Sequence, residues 1–125
     1  MAFIQYIPQE DQPAEDRVDD NDNILQIHSI HSKMLGLHYD LYKELMYGKG
    51  PLSRIQREMV AVVVSAENEC YYWIEHHGAG LRRLLKSKRV SEEDQETLLS
   101  ELIQKRTSSN LHEPDKTLLM YVVKL

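Results

Sequence analysis

The sequence of 125 residues is long enough for one hydrophobic core and short for two, and 42% hydrophobic with 28% charged residues is an ordinary globular mixture that excludes a wholly disordered or fibrous chain. Fifteen Lys+Arg against twenty Asp+Glu give a net charge of -5 with no basic stripe, so a nucleic-acid partner is not expected. No segment approaches the apolar length needed to cross a bilayer, so a membrane partner is not expected either.

Met1 to Gln9 carries no basic lead or long apolar run, and a single cysteine fits a reducing compartment, which together place the chain in the cytoplasm. Between Pro8 and Asn23 stand seven acids (Glu10, Asp11, Glu15, Asp16, Asp19, Asp20, Asp22) against one base, Arg17. With two prolines and few large apolar residues, residues 1–23 read as a solvated, loosely ordered acidic arm, and residues 24–125 as the folded domain. From Asn23 the spacing of Ile27, Ile30, Met34, Leu37, Leu41 and Leu45 predicts one long amphipathic helix that Gly48 and Gly50 stop. Ser53 with Gln56 three residues later matches a capping box and opens a buried helix to about Ala66. Asn68 is the expected N-cap of the next helix, which runs through Cys70, Trp73, His77, Leu81 and Leu84 to about Lys86. Ser91 followed by Glu92, Glu93 and Asp94 starts another, with Leu98, Leu99, Leu102 and Ile103 on its apolar face. Pro114 suits a first helical turn, and Leu118, Leu119, Tyr121, Val122 and Val123 form a last apolar segment. The fold class is therefore all-α, a compact helical domain built on an antiparallel helix pair. No glycine-rich phosphate loop or Gly-x-Ser-x-Gly elbow is present, which removes those enzyme classes.

The segment Glu67 to Gly78 carries the chemistry. With Asn68 as cap, Cys70 lies in a first helical turn, where free N–H groups and the positive helix end favour a thiolate. Cys70, Trp73 and His77 follow i, i+3, i+7 and share one helix face, so His77 could exchange a proton with the sulfur. The plainer alternative is a small buried Cys70 and a hydrogen-bonded core His77. Glu58 likewise has a plain reading, an i,i+4 pair with Arg54 on an exposed helix face.

Pro51 to Arg54, Arg57 to Met59, Val60 to Ala66, Glu67 to Cys70 and His76 to Gly78 resemble the carboxymuconolactone decarboxylase and alkyl hydroperoxidase D superfamily, nearest its peroxidase-related subgroup. The resemblance implies an all-helical protein that assembles as a homo-oligomer, a trimer or hexamer, and a thiol peroxidase acting on hydroperoxides with an external thiol as reductant. Carried over residue by residue, the family's Glu, Cys-x-x-Cys, His motif makes Glu58 the proton-relay carboxylate, Cys70 the first cysteine and His77 the histidine. The second cysteine, which in the family attacks peroxide, is Trp73 here, so the family's internal disulfide has no second sulfur. Trp73, with the adjacent Tyr72, is then expected at the substrate position, where it fills the access pocket or lines it. The activity implied is weak and single-cysteine; the alternative is a non-catalytic structural or small-ligand-binding member. Decarboxylation of a lactone acid, as in the other branch, fits the cysteine-centred context less well. Relatives in this subgroup continue past the segment resembling Glu113 to Leu125, so the apolar residues 118, 119, 122 and 123 are expected to need a partner subunit as cover.

Six histidines raise a metal site. His28, His31 and His38 fall within roughly 80° of one helix face. No Asp or Cys joins them at a ligand spacing, and a wet polar edge is the expected role. His76 points about 100° from His77 and is expected at a surface. No cofactor and no metal are expected.

Overall fold

The computed structural model describes residues 4–20 and 22–125, with Asn23 described by its backbone alone. Among these residues the regular structure is helical throughout, with no strand: α1 (Asn23–Gln26), α2 (Ser32–Tyr47), α3 (Arg54–Glu67), α4 (Tyr71–Ser87), α5 (Glu92–Lys105) and α6 (Glu113–Lys124), with single 3-10 turns at Gln9–Asp11, Ala14–Asp16 and Ser29–His31. By internal packing the chain forms two compact units, Met1–Lys49 and Gly50–Leu125. No helix is long and apolar enough to cross a membrane among the described residues.

In the first unit the long helix expected from Asn23 is broken. His28 donates from Nδ1 to the Ile24 carbonyl, and the backbone passes through a 3-10 turn before α2 starts at Ser32. His28, Ser29, His31 and Ser32 are poor helix formers, and the two serines find side-chain partners outside the ladder. Buried Ser29 accepts from the Ile7 N–H at 2.7 Å, and Ser32 donates to Asp16 at 2.6 Å. Further bonds hold part of the acidic segment. Gln12 is buried and its Nε2 donates to the Ile7 carbonyl, while Arg17 donates to the Gln12 and Glu10 carbonyls, so the described part of that segment is held against the residues that follow it. Met1–Phe3 and Asn21 of the expected arm lie outside the described residues.

The apolar stripe of α2 does not face a core. Ile30, Met34, Leu37, Leu41 and Leu45 are 54–62% exposed, and the helix instead buries Leu35. A stripe of period 3.6 fixes which residues share a face, not what covers them, and the acidic segment has too few large side chains to do so.

The second unit is built on α3. Ser53 is the N-cap and the capping box is complete: its hydroxyl accepts from the Gln56 N–H at 3.2 Å and Gln56 Oε1 accepts from the Ser53 N–H at 2.8 Å. Gln56 also donates to Asp115 at 2.7 Å, pinning the start of α6 to the start of α3. Asn68, expected to open α4, closes α3 instead: its Nδ2 donates to the Val64 carbonyl at 2.8 Å, and Cys70 becomes the N-cap of α4. Glu69 between them is left-handed, φ 52°, and turns the chain back within three residues. Cys70 N–H then bonds the Ser65 carbonyl while Glu58, one helical stretch earlier, meets His77 and Gly80, so α4 runs antiparallel to α3.

Met59, Val62, Val63, Leu81, Leu85, Leu99, Leu102 and Leu119 form the core where α3 packs on α4, α5 and α6. Leu119 is fully buried, whereas Tyr121 and Val123 on the same helix are exposed. Ser91 caps α5 by accepting from the Asp94 N–H at 3.1 Å. At the other end Arg106 is left-handed, φ 63°, and its guanidinium donates to the Ala66 carbonyl, to Glu67 and to the Ile103 carbonyl, tying the end of α5 to the end of α3.

Buried Ser108 and Lys105 both donate to Glu101, which holds this carboxyl below its ordinary value of 4.5. A carboxylate with a depressed folded value contributes stability above its unfolded value and loses that contribution as pH falls through the folded one. The Glu101→Gln variant is therefore expected to be less stable than the wild type near neutral pH, with the gap closing below about pH 4.5, measured as urea midpoints across a pH series.

Candidate functional site

Glu58 sits one turn into α3 and is 4% exposed. A carboxylate that far from water needs partners for both oxygens. Arg54, one turn earlier on the same helix, donates from Nη2 to Oε1 at 2.9 Å, and His77 from α4 donates from Nδ1 to Oε2 at 2.8 Å. The exposed-face reading of the Arg54–Glu58 pair is thus half right: the i,i+4 pair is present, but on a buried face and shared with the histidine. Because Nδ1 is fixed on Glu58, the imidazole of His77 is oriented with Nε2 turned away from it. The pair is a carboxylate and an imidazole in direct contact inside an apolar helix pair, a geometry through which a proton can pass.

Gly80 makes this contact sterically feasible. A Cβ built there would lie 3.0 Å from Glu58 Oε1 and 3.1 Å from its carboxyl carbon, so the absence of a side chain opens the space in which the carboxylate sits. The sequence reading did not single out this residue; two glycines, Gly78 and Gly80, inside a helical pattern were the available signal of close approach.

Trp73 stands on α4 one turn before His77, and its indole stacks on the imidazole with centroids 5.3 Å apart and planes 22° from parallel. Tyr72 and His76 extend the cluster: Tyr72 meets Trp73 edge-on at 5.2 Å and stacks on His76 at 6.3 Å. His76 is exposed, and among the described residues no group of three His, Cys, Asp or Glu could hold a metal ion. The rings of His28 and His38 meet edge-on at 5.6 Å in the first unit.

Cys70 is a free thiol, partly buried, and as N-cap it precedes the first turn of α4 rather than lying within it. It makes no side-chain cap hydrogen bond. The structure therefore brings Glu58 and His77 into direct contact, adds Arg54, and places Cys70 at the head of the same helix without a hydrogen bond from its sulfur to either group. Between Cys70 and His77 in sequence and on that helix face stands Trp73.

Residues 36–100, just over half of the chain, match the carboxymuconolactone decarboxylase family, and the chain belongs to it. Among solved structures it is similar to an uncharacterized peroxidase-related protein from Silicibacter sp. TM1040, at 30% sequence identity and a TM-score of 0.48 over 80% of this chain. The chain spans 59% of the length of that protein. No curated protein matches it.

Replacing Gly80 by Ala tests how firmly the carboxylate is held. Gly→Ala inside a helix ordinarily gains about 0.5–1 kcal/mol. Here the new methyl meets a carboxylate pinned by Arg54 and His77, so the expected outcome of Gly80→Ala is a net loss of about 1–3 kcal/mol in urea unfolding. A gain in stability would show that Glu58 moves aside freely.

Proposed function

We propose that the chain is a slow, single-cysteine thiol peroxidase acting on hydroperoxides with an external thiol as reductant. The observation that carries this reading is the buried Glu58–His77 pair on the two helices that meet at the chain's one cysteine. In the reaction the Cys70 thiolate attacks one oxygen of the O–O bond, the bond breaks, and Cys70 becomes a sulfenic acid. The other oxygen leaves as an alcohol, with the proton first taken from the thiol returned to it through His77 and Glu58. An external thiol condenses with the sulfenic acid, releasing water and forming a mixed disulfide. A second thiol attacks the sulfur of the first and displaces Cys70, restoring its thiol and releasing a disulfide, so two thiols supply the two electrons. Since the sulfur has no hydrogen bond to His77, the hydroperoxide or a water completes the proton path, and Tyr72 with Trp73 forms an aromatic wall for the organic part of the substrate.

A second reading, a non-catalytic member, is favoured by one observation: the Trp73 indole lies flat on His77 and takes the place of the family's second sulfur. The two are separated by intact-mass measurement after treatment with cumene hydroperoxide, alone and with added thiol. The peroxidase reading expects Cys70 to gain one oxygen or one thiol adduct, Cys70→Ser to gain neither, and Trp73→Cys to form an internal disulfide and turn over faster. An unmodified Cys70 establishes the non-catalytic reading.

A homo-oligomer belongs to the same proposal. The exposed face Ile30, Met34, Leu37, Leu41 and Leu45 is an apolar stripe of the kind that a second copy covers. Light scattering of the full chain is expected to give a multiple of the protomer mass, and Leu41→Glu on the centre of the stripe a smaller species; a wild-type monomer at micromolar concentration removes the oligomer from the reading.

A further inference from the structure

An imidazole takes a proton from a neighbour only where the nitrogen that bears the lone pair is aimed at it. Two contacts fix this for His77. The Trp73 indole lies on the ring with planes 22° from parallel and sets the plane of the imidazole. The bond from Nδ1 to Glu58 Oε2 at 2.8 Å sets its turn within that plane and leaves the lone pair on Nε2. This second contact lasts only while the carboxylate keeps its own orientation, because the last torsion of a glutamate is broad and nearly two-fold. Glu58 is held by its other oxygen. Oε1 accepts from Arg54 Nη2 at 2.9 Å and lies in the space that a Gly80 side chain would take. Arg54 stands at i-4 on the same helix, so the hold on Oε1 is set by the geometry of α3 itself.

We propose that Arg54 is a positioning residue for His77: acting through Glu58 Oε1, it keeps the imidazole in the tautomer that carries its proton on Nδ1 and aims the Nε2 lone pair. Its consequence for Cys70 oxidation rests on the peroxidase reading; its hold on the ring does not. The Arg54 side chain is 31% exposed, so truncating it lets water reach Glu58 and replace the lost donor. The buried carboxylate then stays solvated while its fixed orientation is lost.

The test records the ring nitrogens of His77, assigned with His77→Gln, in the isotope-labelled full chain at about pH 8.5, above the ordinary imidazole range. Wild type and Arg54→Lys, which keeps a cationic donor at the same place, are expected to show Nε2 as a nitrogen bearing a lone pair. Arg54→Ala is expected to show a signal averaged over both tautomers; Arg54→Gln, with the same expectation, replaces it if the alanine variant lacks a dispersed amide spectrum. In the same proteins Cys70 oxidation by cumene hydroperoxide is followed by intact mass over time. The maximal rate is expected to fall about tenfold in Arg54→Ala and to recover in Arg54→Lys, with the half-saturating hydroperoxide concentration unchanged. A single Nδ1–H tautomer in Arg54→Ala, a changed tautomer with an unaltered oxidation rate, or an Arg54→Lys variant no better than Arg54→Ala overturns the proposal. If Cys70 is oxidised in none of the proteins, the peroxidase reading falls and the tautomer comparison alone decides the role of Arg54.

Discussion

The second unit is organised around a buried negative charge. Glu58 carries a carboxylate into the contact between α3 and α4, where an unmatched charge would outweigh much of what the surrounding leucines and valines contribute. Its neighbours answer that constraint. Arg54 at i-4 supplies one donor, His77 from the antiparallel helix supplies another, and Gly80 withholds a side chain so that the carboxylate fits. The register of α4 on α3 is thereby specified by a polar contact as well as by apolar packing. A slip of one residue would leave Glu58 facing a different side chain at the cost of an unpaired charge.

The connections around this centre use left-handed residues other than glycine: Glu69, Arg89 and Arg106 all have φ between 52° and 63°. Such positions cost of order 1 kcal/mol or more for a residue with a Cβ. At Arg106 the compensation is visible, since the same side chain bonds two carbonyls and Glu67, joining the ends of α3 and α5. A glycine there would relax the backbone and lose the clamp.

The helices of the second unit were legible because their signals are local. Ser53 with Gln56 and Ser91 with its following acids state where a helix starts within four residues, and both caps are present. Asn68 misled because an asparagine side chain serves a helix start or a helix end equally well, and here it bonds back to Val64. The break before α2 escaped notice because it depends on Ile7 and Asp16, partners well outside any local window. The same limit applies to the candidate site. The spacing of Cys70, Trp73 and His77 along one helix could be read directly, but Glu58 meets His77 across 19 residues of chain, and only resemblance to a family pointed to that pair. Periodicity identified the stripe on α2 but not what covers it, since a pattern of side chains carries no information about the opposing surface.

The stacking of Trp73 on His77 gives the protein an optical property of its own. The chain has one tryptophan, and its indole lies 5.3 Å from an imidazole whose other side is bonded to Glu58. An imidazolium in that position withdraws electron density from the excited ring and quenches its emission, whereas a neutral imidazole does so far less. Intrinsic fluorescence therefore reports from inside the α3–α4 contact, without a label, on the charge carried by His77.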